Sequence, residues 1–545
     1  MRLLFFFSLL VFVVSACHFK HQDADLVIYN ATIYTLDENN SVQQAIAIKD
    51  GKIVALGKDR DILNNFRYTE SIDAAKQTIY PGFIDAHCHF VNYGFGLEQA
   101  NLVGCKSFGE MLQRVADFSK ANPEKSWIIG RGWDHTDWPG KMWPDKRQLD
   151  ILFPKTPVIL QRIDGHAALV NQAALDVAKI TSNSKINGGF IGIENGQLTG
   201  LIKENTIDSV SKCVPKPTLA DYEKALAKAQ NKCFEAGITS VADAGLKMED
   251  IEALKALHGS SKLLMRVYAM ASDNDENFSW LSEIGRIKTD RLNVSSFKFY
   301  ADGSLGSRSA CLLKPYHDEN GNTGMLTIDL EKLEEKLRLL YEMHFQANTH
   351  CIGDSANRAI LSLYGKILKG TNDRRWRIEH AQVVDPEDFA WFGKYTIIPS
   401  VQPTHATSDM KWAGDRLGDE RLPNAYALKK LLGQNGFIAL GTDFPVEDIS
   451  PLATFYTAVF RQNLNQIPGK GFLPENALSR MEALKGMTIW AAMANFEEEE
   501  KGSLEKGKFA DLVILDRDIL KVDQSQVLKA RVKATFVGGQ KVFSN

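Results

Sequence analysis

His87 and His89 lie two residues apart in PGFIDAHCHF, residues 81–90. On a β-strand successive side chains alternate between faces, so Asp85, His87 and His89 share one face and Cys88 takes the other. Two imidazoles on one buried face suit a divalent metal ion, and they equally suit two hydrogen-bonded core histidines. The pair alone leaves both readings open. Further along, Lys298 stands in VSSFKFYADG, His350 in FQANTHCIGD, His380 in RWRIEHAQV and Asp443 in FIALGTDFPV. Each ends a short apolar run, and each has a structural role open to it: a satisfied core histidine, a lysine snorkelling to water, an aspartate capping a turn. Chance does not readily place all of them at the ends of different strands. Four imidazoles and a carboxylate converging there make a donor set for metal.

Positioning such a set requires many strands ending in one place. Eight candidates follow in order: TIYPGFIDAHCHF, GITSVADAG, LMRVYAMAS, VSSFKFYADG, FQANTHCIGD, RWRIEHAQV, YTIIPSVQPTH and FIALGTDFPV. Helical stretches separate them, the rhythm of βα units, and eight is the number that closes a (β/α)8 barrel. The interval between the first two, about residues 91–235, is too long for a loop. It holds strand-like SWIIGRGWD and PVILQRIDGHAALVN, so it reads as an inserted subdomain. ADLVIYNATIYTL and QAIAIKDGKIVALG near the start, and GKFADLVILD and ATFVGGQKVFSN near the end, are β-rich. The expected fold class is therefore α/β: a TIM-like barrel over 81–495 with its insertion, plus a small β-sandwich domain built from 24–80 and 500–545.

The 545 residues are 44% hydrophobic, enough for a large core, and the net charge of −3 argues against nucleic acid as a partner. The acidic run Glu497–Glu500 reads as a solvated connector. Residues 1–17, MRLLFFFSLLVFVVSAC, read as an export signal too short for a comfortable membrane span. Its ending, Val14-Ser15-Ala16-Cys17, resembles a bacterial lipobox, in which Cys17 would carry lipid. The expectation is a body tethered in the cell envelope, in the periplasm or at the cell surface. Cys88 and Cys351 look like apolar fillers, and Cys213 and Cys233 are candidates for pairing.

The HxH after PGFID, the strand lysine, THCIGD, IEHAQ and GTDFP together resemble the amidohydrolase superfamily, as does the late GSLEKGKFADLVILD. FKFYADGSLGSRSA, GWD and DGHAALVN are similar to the large branch that includes N-substituted formamide deformylases. The resemblance covers nearly everything after about residue 25. It implies two divalent metal ions, usually zinc, bridged by a carbamate that carbon dioxide forms on Lys298. His87, His89 and Asp443 would hold one ion, and His350 and His380 the other. It further implies hydrolysis of a small-molecule amide or N-formyl C–N bond by metal-activated hydroxide, with Asp443 moving the proton. His166 in DGHAALVN is the candidate catalytic and substrate-side residue of the insertion, with Trp133, Asp134 and Arg308 as further substrate contacts. Two rivals stand beside this reading: a one-metal deaminase of the same superfamily, which typically lacks the bridging lysine, and an exported binding protein without catalysis. Large barrel helices leave room for a homodimer.

Overall fold

A computed structural model describes residues 21–545; residues 1–17, expected from the sequence to be an export signal ending in Cys17, lie outside the described residues. Eight parallel strands run in one sheet: β1 (Phe83–Cys88), β2 (Ile238–Leu246), β3 (Arg266–Ser272), β4 (Leu292–Tyr300), β5 (Gln346–Cys351), β6 (Arg377–His380), β7 (Ile398–Val401) and β8 (Ala439–Leu440). Past the end of β8 the sheet closes on β1: Asp443 N donates to His87 O and His89 N to Phe444 O, both at 2.8 Å. Asp85 fastens the same seam, accepting from Thr442 N at 3.0 Å and Thr442 Oγ1 at 2.6 Å. Gly441 is required here, because a Cβ would lie 2.6 Å from His87 N. Each sequence run proposed as a barrel strand overlaps one of these eight.

Helices pack around the strands through amphipathic faces. The helix Leu219–Glu235 shows the pattern: Tyr222, Ala225, Leu226, Ala229, Cys233 and Phe234 recur at helical spacing and are buried. A capping box of Thr218 and Asp221 fixes its start. The outward-facing Val267, Phe297, Ala347 and Ile378 of the strands meet such helices in the main core.

The first run is one strand in the sequence and two in the structure. Thr78–Pro81 pairs with Leu512–Leu515 in a six-stranded sheet made from both ends of the chain, and only from Phe83 does the chain enter the barrel. The hand-over falls at Gly82, where a Cβ would lie 2.3 Å from Thr239 Oγ1. A second, four-stranded sheet holds Gln22–Tyr29, Ala45–Lys49, Lys52–Gly57 and Phe66–Asp73. The two share a core that includes Ile28, Ile46, Ile79 and Leu512. Arg266 at the start of β3 forms a buried two-point pair with Asp511, at 2.6 and 2.9 Å, linking barrel to β domain.

Between β1 and β2 the chain builds its own six-stranded sheet; the first strand-like stretch of the sequence forms Ile128–Trp133, and the second divides into Val158–Arg162 and Ala167–Val170. It also contains a hairpin, Gly189–Glu194 with Gln197–Glu204, turning at Asn195-Gly196. The acidic run corrects its expectation. Glu497 is buried 3.2 Å from Lys288 and 2.8 Å from Lys501, and Glu498 pairs with Arg375. The run is a clasp of ion pairs, since the packed segment around it supplies the cations that a solvated connector would lack. Cys213 and Cys233 are both free thiols. Among the described residues no helix is long and apolar enough to cross a membrane.

Candidate metal centre

His87, His89, Lys298, His350, His380 and Asp443 converge at the C-terminal ends of five barrel strands, the end where such barrels carry their sites. Asp443 is the hub. Its Oδ1 lies 3.2 Å from His89 Nε2 and 3.6 Å from His87 Nε2, and its Oδ2 lies 3.6 Å from His405 Nε2. The His87 and His380 rings are 4.9 Å apart, and those of His380 and His350 are 4.6 Å apart. Lys298 Nζ donates toward His87 Nε2 at 3.3 Å from the floor of the site.

Three of the imidazoles are anchored alike. His87 Nδ1 meets Glu379 Oε2 at 2.5 Å, His89 Nδ1 meets the Ala244 carbonyl at 3.0 Å, and His380 Nδ1 meets Gln402 Oε1 at 2.7 Å. An acceptor at Nδ1 fixes the proton there and puts the lone pair on Nε2. His350 differs: its Nε2 lies 3.3 Å from the Gly303 carbonyl. His380 and Asp443 also hold left-handed backbone, with φ of 72° and 63°. Such strain, about 1–3 kcal/mol per residue, persists where the surroundings over-determine it, and functional sites are where it collects.

The electrostatics keep most donors in their ligating forms; at His89 burial works downward, but the neighbouring Asp443 carboxylate outweighs it and raises the imidazole. Burial, followed by the charge of Lys298, pushes His87 down to about 4 and His350 down to about 3, so both are neutral at pH 7. Burial also pushes Lys298 down to about 8. For Asp443 burial works upward, but His89 and the surrounding imidazoles outweigh it and hold the carboxyl well below its ordinary range. Among the described residues Asp443 Oδ1 and His405 Nε2 are buried with no hydrogen-bond partner, which would leave each short of about 1–3 kcal/mol. Two groups, His87–His89–Asp443 and His380–His405–Asp443, each bring donor atoms within 4.8 Å of one another. Imidazole nitrogens and a carboxylate with unanswered lone pairs fit a divalent cation.

A model of the amidohydrolase family matches residues 70–543. The chain belongs to that family. Protein LONG AFTER FAR-RED 3 of Arabidopsis thaliana is 33% identical, with 95% of this chain and 92% of the relative covered. N-substituted formamide deformylase of Arthrobacter pascens is 24% identical over 95% of this chain and 98% of its own. Among solved structures, an uncharacterized metal-dependent hydrolase from Pyrococcus horikoshii OT3 superposes with a TM-score of 0.78 at 28% identity, covering 92% of this chain and 99% of the other. Family, fold and donor set together make this chain a metal-dependent hydrolase of the amidohydrolase family.

Four further residues singled out in this amidohydrolase's sequence make contacts of their own. His166 is exposed on the insertion, its ring 3.1 Å from Glu204. Trp133 is fully buried in the insertion's core, and its indole donates to Leu160 O at 2.8 Å. Asp134 pairs with Arg162 at 2.6 Å, and Arg308 pairs with Asp318 at 2.8 Å. Conversely, three residues at the centre went unread. Glu379 precedes His380 in IEHAQ; alternation along β6 puts Arg377 and Glu379 on the inner face, and the left-handed turn at His380 brings that ring inward too. His405 and Gln402 lie just past β7, where the helix Pro403–Asp409 begins. The signal for His405 is its place four residues beyond the end of a barrel strand.

Proposed function

We propose that this amidohydrolase cleaves a C–N bond of a small amide or N-formyl compound at a binuclear centre. The observation that carries the reading is the convergence of His87, His89, Lys298, His350, His380 and Asp443 on one barrel mouth around a buried carboxylate. Kinship with N-substituted formamide deformylase supports the bond type. His87, His89 and Asp443 would hold one divalent ion, with zinc the choice that suits the donors; His350 and His380 would hold the other, and Lys298, 3.3 Å from His87 Nε2, would be shared between them. When bound, the cations polarise a carbonyl and lower the pKa of water.

The chain's own residues do the rest. Glu379, Ala244 and Gln402 hold three imidazoles in one tautomer. Asp443, ionised at neutral pH, is placed to accept a proton from attacking water and return it to the leaving nitrogen. Burial disfavours the Lys298 ammonium, so the neutral amine is accessible near pH 8. That amine adds to carbon dioxide, losing one proton and gaining a carboxylate able to face cations. The His87–His89–Asp443 trio alone would serve a one-metal deaminase, which is the alternative reading. Export and lipid attachment at Cys17 complete the proposal, supported by the VSAC ending of the signal.

The deciding experiment is elemental analysis of the purified full-length chain, with a screen of amides and formamides. Two equivalents of metal with turnover support the proposal, and Lys298→Ala should then lose metal and activity together. One equivalent favours the deaminase reading. None, even with added metal and bicarbonate, makes the protein a binder.

A further inference from the structure

We infer that His405 supplies a ligand nitrogen to the second cation, in one sphere with His380 and Asp443 Oδ2. The inference rests on the binuclear reading above. A structural histidine this buried should have its ring nitrogens answered, yet Nε2 of His405 is enclosed with no hydrogen-bond partner among the described residues. Its closest charged group is Asp443 Oδ2 at 3.6 Å. That is too long for a hydrogen bond, but two ligands about 2.1 Å from one tetrahedral zinc lie roughly 3.4 Å apart. The spacings of His89 and His87 to Asp443 Oδ1, 3.2 and 3.6 Å, bracket the same value. Asp443 therefore turns one oxygen to each group of histidines, the disposition of a carboxylate shared by two ions.

The rest of the second sphere is consistent. Gln402 takes the Nδ1 side of His380, so the lone pair of that ring is on Nε2. The His380 and His405 rings lie nearly parallel, 16° apart in plane with centroids 5.9 Å apart. His350, the expected partner of His380, turns its Nε2 to the Gly303 carbonyl at 3.3 Å, which leaves the lone pair of that ring on Nδ1. Gln402 Nε2 and Thr404 Oγ1, in the same turn as His405, are buried without partners among the described residues. Backbone geometry supports the placement, since the proline-started helix Pro403–Asp409 brings its first turn against the end of β7.

The test measures zinc stoichiometry and affinity of the full-length protein by chelator competition, with anomalous X-ray scattering locating the ions in wild-type crystals. Expected are two equivalents in wild type, a peak about 2.0–2.1 Å from His405 Nε2, and in His405→Ala one retained ion with the second weakened at least 100-fold. His405→Asp, which returns an anionic ligand, should recover the second equivalent and guards against misfolding of the alanine variant. Two equivalents of unchanged affinity in His405→Ala, or a second peak with no contact to His405, overturn the inference while leaving the binuclear reading intact; a raised KM alone in that variant would make His405 a substrate contact. Fewer than two equivalents in wild type overturn the binuclear reading itself.

Discussion

Replacing Glu379 by Gln should damage metal binding and stability by separable amounts. Glu379 is fully buried; its Oε2 is 2.5 Å from His87 Nδ1 and its Oε1 is 2.8 Å from Arg377 Nε. Burial would raise this carboxyl, but Arg377 and His87 outweigh burial and hold it below the ordinary range, so it is ionised. Both neighbours present N–H donors. A glutamine has one acceptor oxygen, so either Arg377 or His87 must face its NH2 group, donor against donor. The buried guanidinium would be left with only neutral partners: Asn495 Oδ1, the Ala86 carbonyl and Ser400 Oγ. Removing one member of a buried ion pair costs about 3–5 kcal/mol. Loss of the carboxylate that fixes a ligating imidazole costs about 10–100-fold in metal affinity. Chelator competition reads the second quantity and thermal unfolding of the metal-free protein reads the first. Pairing Glu379→Gln with Arg377→Met should return part of the stability and none of the affinity. Metal binding within threefold of wild type, with an unchanged unfolding temperature, would refute the reasoning.

Two further changes probe the scaffold. His258, at the end of the helix Met248–Gly259, donates from Nε2 to Met265 O at 2.9 Å, while its buried Nδ1 has no partner among the described residues. Burial, aided by the charges of Arg291 and Arg266, pushes it down to about 4 against the pull of the Met265 bond. Between pH 6.5 and 4 the unfolded chain therefore takes up a proton that the folded one refuses, and stability falls as pH drops through that window, by roughly 3 kcal/mol in all. His258→Gln should flatten this acid-side loss in unfolding measured against pH, and an identical pH profile would exclude the assignment. Asp511→Ala strands the buried Arg266 guanidinium at the barrel's start and should cost about 3–5 kcal/mol in thermal unfolding. Because this pair lies at the opposite end from the histidines, bound metal per folded chain should stay the same; a loss of metal would show that the two ends are coupled.

The barrel was legible because buried parallel strands leave a simple mark: short, continuous apolar runs separated by helical periodicity. That signal depends on burial on both faces, which β1–β8 have. It says nothing about which sheet a run joins, so Thr78–Cys88 read as one strand although Gly82 divides it. The hairpin of the insertion carries its turn at Asn195-Gly196, and both residues have positive φ. Its strands, however, are half-exposed and mix glycine with polar residues, so the apolar-run criterion passed over them. Glu497 misled for the opposite reason. A run of like charges is usually solvated, and only the packed lysines 288 and 501 make this one a buried clasp.

At the site, the residues found first were those whose chemistry shows in isolation: histidines, a lysine and an aspartate at strand ends. Glu379 and Gln402 are invisible by that criterion because their work is done on the far nitrogen of another residue's ring. His405 is a harder case, since it belongs to a helix and reaches the centre only because Pro403 starts that helix at the end of β7. Its omission has a consequence for the chemistry. With His405 present, Asp443 faces histidines through both oxygens, at 3.2 and 3.6 Å through Oδ1 and at 3.6 Å through Oδ2. A carboxylate so enclosed is held in a single rotamer by its surroundings, and its backbone sits in the left-handed region to reach that place. The residue that would move the proton is thus also the one most tightly positioned by the fold, so a change at Asp443 cannot separate metal binding from proton transfer, whereas changes at Glu379 and His405 can.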